Sequence, residues 1–196
     1  MNNHYGCELF DERELHTSLK KASKDGASYM TESEIDVIDF DRCKESYARE
    51  LHLSETPRSV DAVILNQRQS PIFVEFKNGF IDRMVKYEVL QKAYDSILIY
   101  MDLVETQVKE MREKAVFILV YNEGKNEGNN DEDLLAKRAV IQQSSSYNSF
   151  AKDLARLSND EYVCFGLKRL KNYLFREVHT YTELEFGEYL ERFAGT

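Results

Sequence analysis

Cysteine, proline and glycine are scarce in this chain of 196 residues, which holds three, two and eight of them. With so few prolines, and with 42% hydrophobic and 12% aromatic residues, the composition suits one globular domain over residues 1–196 with a sizeable core. Cys7, Cys43 and Cys164 are odd in number, far apart and without Cys-x-x-Cys spacing, which speaks against a disulfide framework or a zinc knuckle. A reducing cytoplasm is the expected compartment. No segment stays apolar long enough to cross a bilayer and residues 1–20 have no apolar signal-type core, so a soluble protein without a membrane partner is expected. His4, His16, His52 and His179 are scattered and read as surface or packing residues.

Positive charge is also short. A net charge of −9 argues against a protein that coats nucleic acid through bulk electrostatics, so any such contact has to be local. The best basic cluster is Lys168, Arg169 and Lys171 with Arg176, followed by Lys20, Lys21 and Lys24; charge runs of this kind are usually solvated faces. There is no Gly-rich phosphate loop, no Gly-x-Ser-x-Gly elbow, no His-Glu-x-x-His and no internal repeat, which removes support from several enzyme classes.

The elements follow from periodicity and punctuation. Leu9, Phe10, Leu15 and Leu19 recur at helical intervals, predicting an amphipathic helix over 5–23 that Asp25 and Gly26 stop. A strand is expected over 35–40 and a short helix over 41–51. Two strands over 60–66 and 72–78, joined by a polar connection, form a hairpin. Leu90, Tyr94, Ile97, Met101 and Val104 mark the buried stripe of a long helix over 81–105. The continuously apolar stretch 115–121 reads as a central strand buried on both faces. Residues 122–133 read as a mobile loop, 134–157 as helix interrupted at Ser144, Ser145 and Ser146, and 161–167 and 173–181 as strands. Thr182 and Glu185 fit a capping box, with Tyr181 and Phe186 spaced as a hydrophobic staple, so a last helix should begin at Thr182.

The most informative stretch is 59–78. Side chains alternate across a strand, so Phe73, Glu75 and Lys77 share one face and Ile72, Val74 and Phe76 the other. A carboxylate and an ammonium then stand side by side at the end of a buried strand. In an antiparallel hairpin Asp61 can approach Glu75, and two close carboxylates repel unless a proton or cation lies between them. Glu123 and Lys125 repeat the acid-x-Lys spacing, but with no strand around them.

An acid on one strand, a turn and then acid-x-Lys on the next resembles the pattern of the PD-(D/E)XK nuclease superfamily, with Asp61, Glu75 and Lys77 in the three positions and Val60 where the name has proline. The resemblance runs over residues 30–121 as an order of elements. It implies an α/β fold with a mixed central sheet flanked by helices, an α-β-β-β-α-β core of restriction-endonuclease-like type, here with extra C-terminal strands and a helix. It implies Asp61 and Glu75 as ligands of Mg²⁺ or Mn²⁺ with the peptide carbonyl of Phe76, and Lys77 as the residue that holds the attacking water. In many members the first helix lends another acid; Glu8, Glu12 and Glu14 all remain open. Gln91 and Tyr94 are similar to helix residues of exonuclease-like members, which stand one position further apart, and Lys86, Gln91 and Lys92 are candidates to orient a phosphate.

What the resemblance implies is a metal-dependent nuclease acting on DNA, in a defence, restriction or mobile-element setting. Two alternatives stand beside it: a nuclease-fold module without turnover that works through protein contacts, and an immunity-type inhibitor whose acidic surface mimics nucleic acid. A homodimer or another protein partner stays open.

Overall fold

A computed structural model describes residues 15–65, 70–144 and 162–194. Along the chain these form strand β1 (His16–Ser18), helix α1 (Leu19–Ala22), strands β2 (Lys24–Asp25), β3 (Ser28–Tyr29) and β4 (Asp36–Asp39), helix α2 (Phe40–Glu50), and strands β5 (Ala62–Leu65) and β6 (Pro71–Lys77). Helices α3 (Arg83–Leu103) and α4 (Val108–Lys114), strand β7 (Val116–Tyr121), helix α5 (Glu132–Ser144), strand β8 (Glu177–Thr182) and helix α6 (Glu183–Ala194) complete the order. The main sheet runs β1-β4-β5-β6-β7-β8; β2 and β3 pair separately. The pairs from β1 to β6 are antiparallel, whereas β7 lies parallel to both β6 and β8. Long crossovers explain the change of direction, since α3 and α4 carry the chain back between β6 and β7.

The strand alternation expected in 72–78 sorts the core into two layers. On one face Val63, Phe73, Phe117 and Leu119 meet Val89, Ala93, Ile97 and Tyr100 of α3. On the other, Ile72, Val74, Phe76, Ile118 and Val120 meet Leu19, Phe186 and Leu190. The protein is therefore α/β, with a mixed central sheet flanked by helices. Phe73 anchors the first layer through edge-on contacts with Phe40, Tyr100 and Phe175 at centroid distances of 6.0, 5.4 and 5.5 Å, a geometry the ring quadrupoles favour.

Local signals start the helices. Asp39 and Asp82 cap α2 and α3, accepting hydrogen bonds from Arg42 N at 3.2 Å and Val85 N at 2.9 Å. The capping box forms as expected: Glu185 N donates to Thr182 Oγ1 at 3.2 Å and Thr182 N to Glu185 Oε2 at 2.8 Å. Among the described residues no helix is long and apolar enough to cross a membrane.

Three stretches differ from the sequence reading. Of the helix expected over 5–23, residues 1–14 lie outside the described residues, His16–Ser18 pairs as an edge strand with β4, and only Leu19–Ala22 is helical. Ser18 starts that turn, its side chain accepting from Lys21 N at 3.4 Å. Of the strand expected over 161–167, the described residues 162–167 are a turn leading into a short 3-10 segment, because Phe165 and Gly166 take φ of 61° and 72°, which no strand accommodates. Strand β8 starts only at Glu177, since the Leu170 carbonyl gathers the N–H groups of Tyr173, Leu174 and Phe175 into a turn. Residues 145–161, which hold the second part of the helix expected over 134–157, lie outside the described residues.

The stretch expected as a mobile loop, 122–133, is held by asparagine. Fully buried Asn126 accepts from Ile81 N at 2.9 Å and donates to Gly79 O at 3.1 Å and Asn122 O at 2.8 Å, while Asn129 donates to Ile81 O at 2.8 Å. An amide side chain offers one acceptor and two donors, so it stands in for a strand neighbour where none is present. Asn126→Ala leaves the buried Ile81 N–H unpaired and should destabilise the protein by about 2–3 kcal/mol, with an unchanged m-value, in urea unfolding. Equal stability would mean that the network is ornamental.

Candidate functional site

The site forms where β5 enters the sheet beside the end of β6. Backbone bonds fix Asp61 from both sides: its N–H donates to Val74 O at 3.2 Å and its carbonyl accepts from Phe40 N at 3.4 Å. Ser96 of α3 secures the preceding residue, accepting from Val60 N at 2.8 Å. The Asp61 side chain therefore reaches across to β6, where Oδ2 accepts from Phe76 N at 2.7 Å. Pleat alternation turns Glu75 to the α3 face, and the side chain is 0% exposed.

Helix α3 delivers a cation to both acids. Lys92 lies one turn before Ser96 on the same helix face, and its Nζ is 2.7 Å from Glu75 Oε1, 2.9 Å from Oε2 and 3.4 Å from Asp61 Oδ1. Lys77 adds a second ammonium, 3.1 Å from Glu75 Oε1. Both approach Oε1 off the hydrogen-bonding directions, so this buried oxygen has ionic neighbours but no hydrogen bond. Asp41 of α2 stands behind them, accepting from Ser59 Oγ at 2.5 Å and from Lys44 Nζ at 2.7 Å.

Burial and charge move these groups in opposite senses. Removal from water, with the Asp61 charge added, pushes the Glu75 carboxyl up to about 8, despite the two lysines. Burial also raises Asp61, although Lys92 and the Phe76 N–H pull the other way. Burial would lower Lys92, but the charges of Glu75 and Asp61 outweigh it and raise the ammonium above its ordinary value. Burial would likewise raise Asp41; bonds from Lys44 and Ser59 and the charge of Lys92 together hold it down.

Of the residues singled out in the sequence, Asp61, Glu75, Lys77 and Lys92 come together here, and Phe76 contributes its N–H to Asp61. Lys86 points elsewhere, 2.9 Å from Asp131, and Gln91 is exposed. Glu8, Glu12 and Glu14 lie outside the described residues. Asp41, Ser59 and Ser96 were missed. The one usable signal was a serine four residues after a lysine on the buried side of α3, a spacing that puts both over one spot.

Can such a centre hold a divalent cation? Asp61 and Glu75 already share one cationic head, and Glu75 Oε1 has lone pairs that no hydrogen bond occupies. Oxygen donors of this kind suit Mg²⁺ or Mn²⁺, which keep several waters and need only one or two carboxylates. No cluster of three or more His, Cys, Asp or Glu side chains with ligand geometry occurs among the described residues, so water would fill the remaining positions.

A raised carboxyl in the folded state stabilises the fold below its unfolded value and loses that contribution as pH climbs through the folded one. For Glu75 the window runs from about 4.5 to about 8. Metal-free protein should lose about 1.4 kcal/mol per pH unit at most across it, or roughly 3–5 °C in Tm. Glu75→Gln should flatten the decline in scanning calorimetry between pH 5 and pH 8; a parallel decline in the variant would assign the pH dependence to another group.

No protein-family model, no curated protein and no solved structure matches the chain. What this centre does has to be read from its own chemistry.

Proposed function

We propose that the protein is a metal-dependent nuclease of the PD-(D/E)XK kind that hydrolyses phosphodiester bonds, with DNA as its substrate. The observation that carries the reading is the convergence of Asp61 and Glu75 on one cationic head with Lys77 at 3.1 Å. Three antiparallel strands, a crossing helix and a parallel fourth strand, β4-β5-β6-α3-β7, also suit the restriction-endonuclease-like core, with β8 and α6 as additions.

Asp61 and Glu75 would hold Mg²⁺ or Mn²⁺ through carboxylate oxygen, with the Phe76 carbonyl as a further candidate. Such an ion, when bound, polarises the phosphate and lowers the pKa of its water. Lys77, with 21% of its side chain exposed, is placed to meet an incoming phosphate and to stabilise negative charge as the nucleophile attacks. Lys92 competes with the ion for the same oxygens and so sets how readily the centre loads.

A binding module without turnover is the second reading. Lys92 already pairs with both acids, and with Lys77 it balances their charge, which favours a centre that persists without metal.

Two measurements separate them. Cleavage of single-stranded, nicked or duplex DNA should require Mg²⁺ or Mn²⁺, stop on chelation, and fall about a hundredfold or more in Glu75→Gln and in Lys77→Met, each melting within a few degrees of the parent. Inactivity toward DNA and RNA with either metal selects the binding module. Lys92→Met leaves two buried acids without their main partner, so its metal-free Tm should drop and Mn²⁺ should restore more stability than it gives the parent. Equal Mn²⁺ stabilisation of variant and parent would remove the competition between Lys92 and the ion.

A further inference from the structure

A cavity of about 210 Å³ opens at the first turns of α3, on a different side of that helix from Lys92. Arg83, Lys86, Tyr87 and Leu90 form one wall, and Phe165 with Arg169, from the segment between α5 and β8, form the other. The basic cluster read in the sequence as a solvated face thus sends one of its members, Arg169, to meet two cations of α3. Arg176 instead pairs with Glu177 at 3.0 Å.

Charge is what distinguishes this cavity. Among the described residues its only carboxylate is Asp131, and that is engaged: Oδ2 accepts from Lys86 Nζ at 2.9 Å and Oδ1 from Phe165 N at 3.1 Å and Leu134 N at 3.2 Å. Three cations against one acid leave two positive charges around the opening, in a chain whose net charge is −9. The guanidinium of Arg83 lies 5.8 Å from the centre of the Tyr87 ring, which holds it at the rim without neutralising it. The Asp131 bonds also fix the Phe165 and Gly166 turn, whose positive φ values of 61° and 72° aim the chain that bears Arg169 back toward α3. Two guanidiniums and an ammonium around a small opening match the oxygens of a phosphate.

Size limits the occupant. The volume falls short of the ~300 Å³ at which pockets begin to enclose whole drug-sized ligands, so the cavity suits one phosphate and its adjoining sugar rather than a complete cofactor. Lys86 and Lys92 are six residues apart on α3, about 9 Å along its axis and about 120° around it, so a strand joining the two sides has to pass round the helix over more than one linkage.

We propose that this cavity is a phosphate seat for a nucleic-acid strand, in which Arg83, Lys86 and Arg169 hold a backbone or terminal phosphate while a linkage further along the strand reaches the Asp61, Glu75 and Lys77 centre. The strand as occupant rests on the nuclease reading; the seat itself rests on the cavity and its charge.

Binding of a labelled single-stranded oligodeoxynucleotide is measured by anisotropy in chelator, where no cleavage occurs, over a salt series. Arg83→Ala/Arg169→Ala should weaken binding at least about tenfold and flatten the salt slope by about 1 to 1.5, with an unchanged Tm, while Lys109→Ala, at an exposed position on α4, should do neither. Arg169→Ala alone, on the 3-10 segment and outside α3, should show part of the loss. Equal losses in Lys109→Ala, or none in the double variant, would overturn the seat. Inorganic phosphate and AMP serve as competitors: displacement of the strand only at concentrations far above its own Kd supports a strand phosphate, whereas AMP binding tighter than the strand would overturn it in favour of a free nucleotide. The two proposals fail separately, since the double variant can lose binding while the parent cuts nothing, and the parent can cut while the double variant binds normally.

Discussion

A carboxyl group with none of its surface in water sits at the end of a strand that is apolar on both faces. Burying such a charge costs several kcal/mol unless partners surround it, and the partners of Glu75 come from three separate elements. Lys77 follows on the same strand, Lys92 descends from α3, and Asp61 immediately precedes β5. Each of those elements is held for this purpose by its own bonds: Val60 N to Ser96, Asp61 N to Val74 and Phe76 N to Asp61. A buried ion cluster of this kind is a poor stabiliser, because well-packed apolar residues of similar volume do as well or better. Its presence in an otherwise apolar core makes it a candidate site, since ionisable groups with shifted pKa values gather where proteins do chemistry.

The position of the cluster follows from the sheet. Strands β6 and β7 run parallel, with Lys77 opposite Tyr121, so the carboxyl ends of both open at the same edge. Crevices at the carboxyl ends of parallel strands are where α/β sheets ordinarily receive ligands. Here the edge is stiffened from both sides. Asn122 N donates to Lys77 O at 3.1 Å, Asn122 Nδ2 to Asn78 Oδ1 at 2.9 Å, and Asn78 N to Asp25 Oδ2 at 3.1 Å. The asparagine network of 122–133 then ties that edge to Ile81 just before α3, the helix that supplies Lys92.

Legibility in the sequence tracked how local each signal was. Strands β5, β6 and β7 and helix α3 could be read because alternation or continuity of apolar residues is written within a few positions, and the same alternation put Glu75 and Lys77 on one face. Asp61 was reachable through hairpin geometry. The ion-pairing of Lys92 was not, because it depends on the rotation of α3 against the sheet, which its stripe of Leu90, Tyr94 and Ile97 does not fix to within one residue. Asp41 gives no signal at all, since only the packing of α2 beside Ser59 brings it near. Phe165 and Asn172 take positive φ without being glycine, so the expected strands around them failed on a conformation that tertiary bonds impose. Asn126 and Asn129 read as loop residues because their partners at Ile81 are more than forty positions away.

Charge balance decides what the centre attracts. With both acids ionised, two carboxylates and two ammonium groups sum to zero, a state that Glu75 reaches only as pH climbs past about 8. Proton uptake by Glu75 would change that sum by one, and a divalent cation would change it by two while giving the oxygen ligands a harder partner than an ammonium. In the proposed nuclease such an ion would displace Lys92 from its acids and leave that ammonium for a phosphate. On that proposal, loading would add positive charge beside Lys77, whereas the seat formed by Arg83, Lys86 and Arg169 keeps its charge without metal.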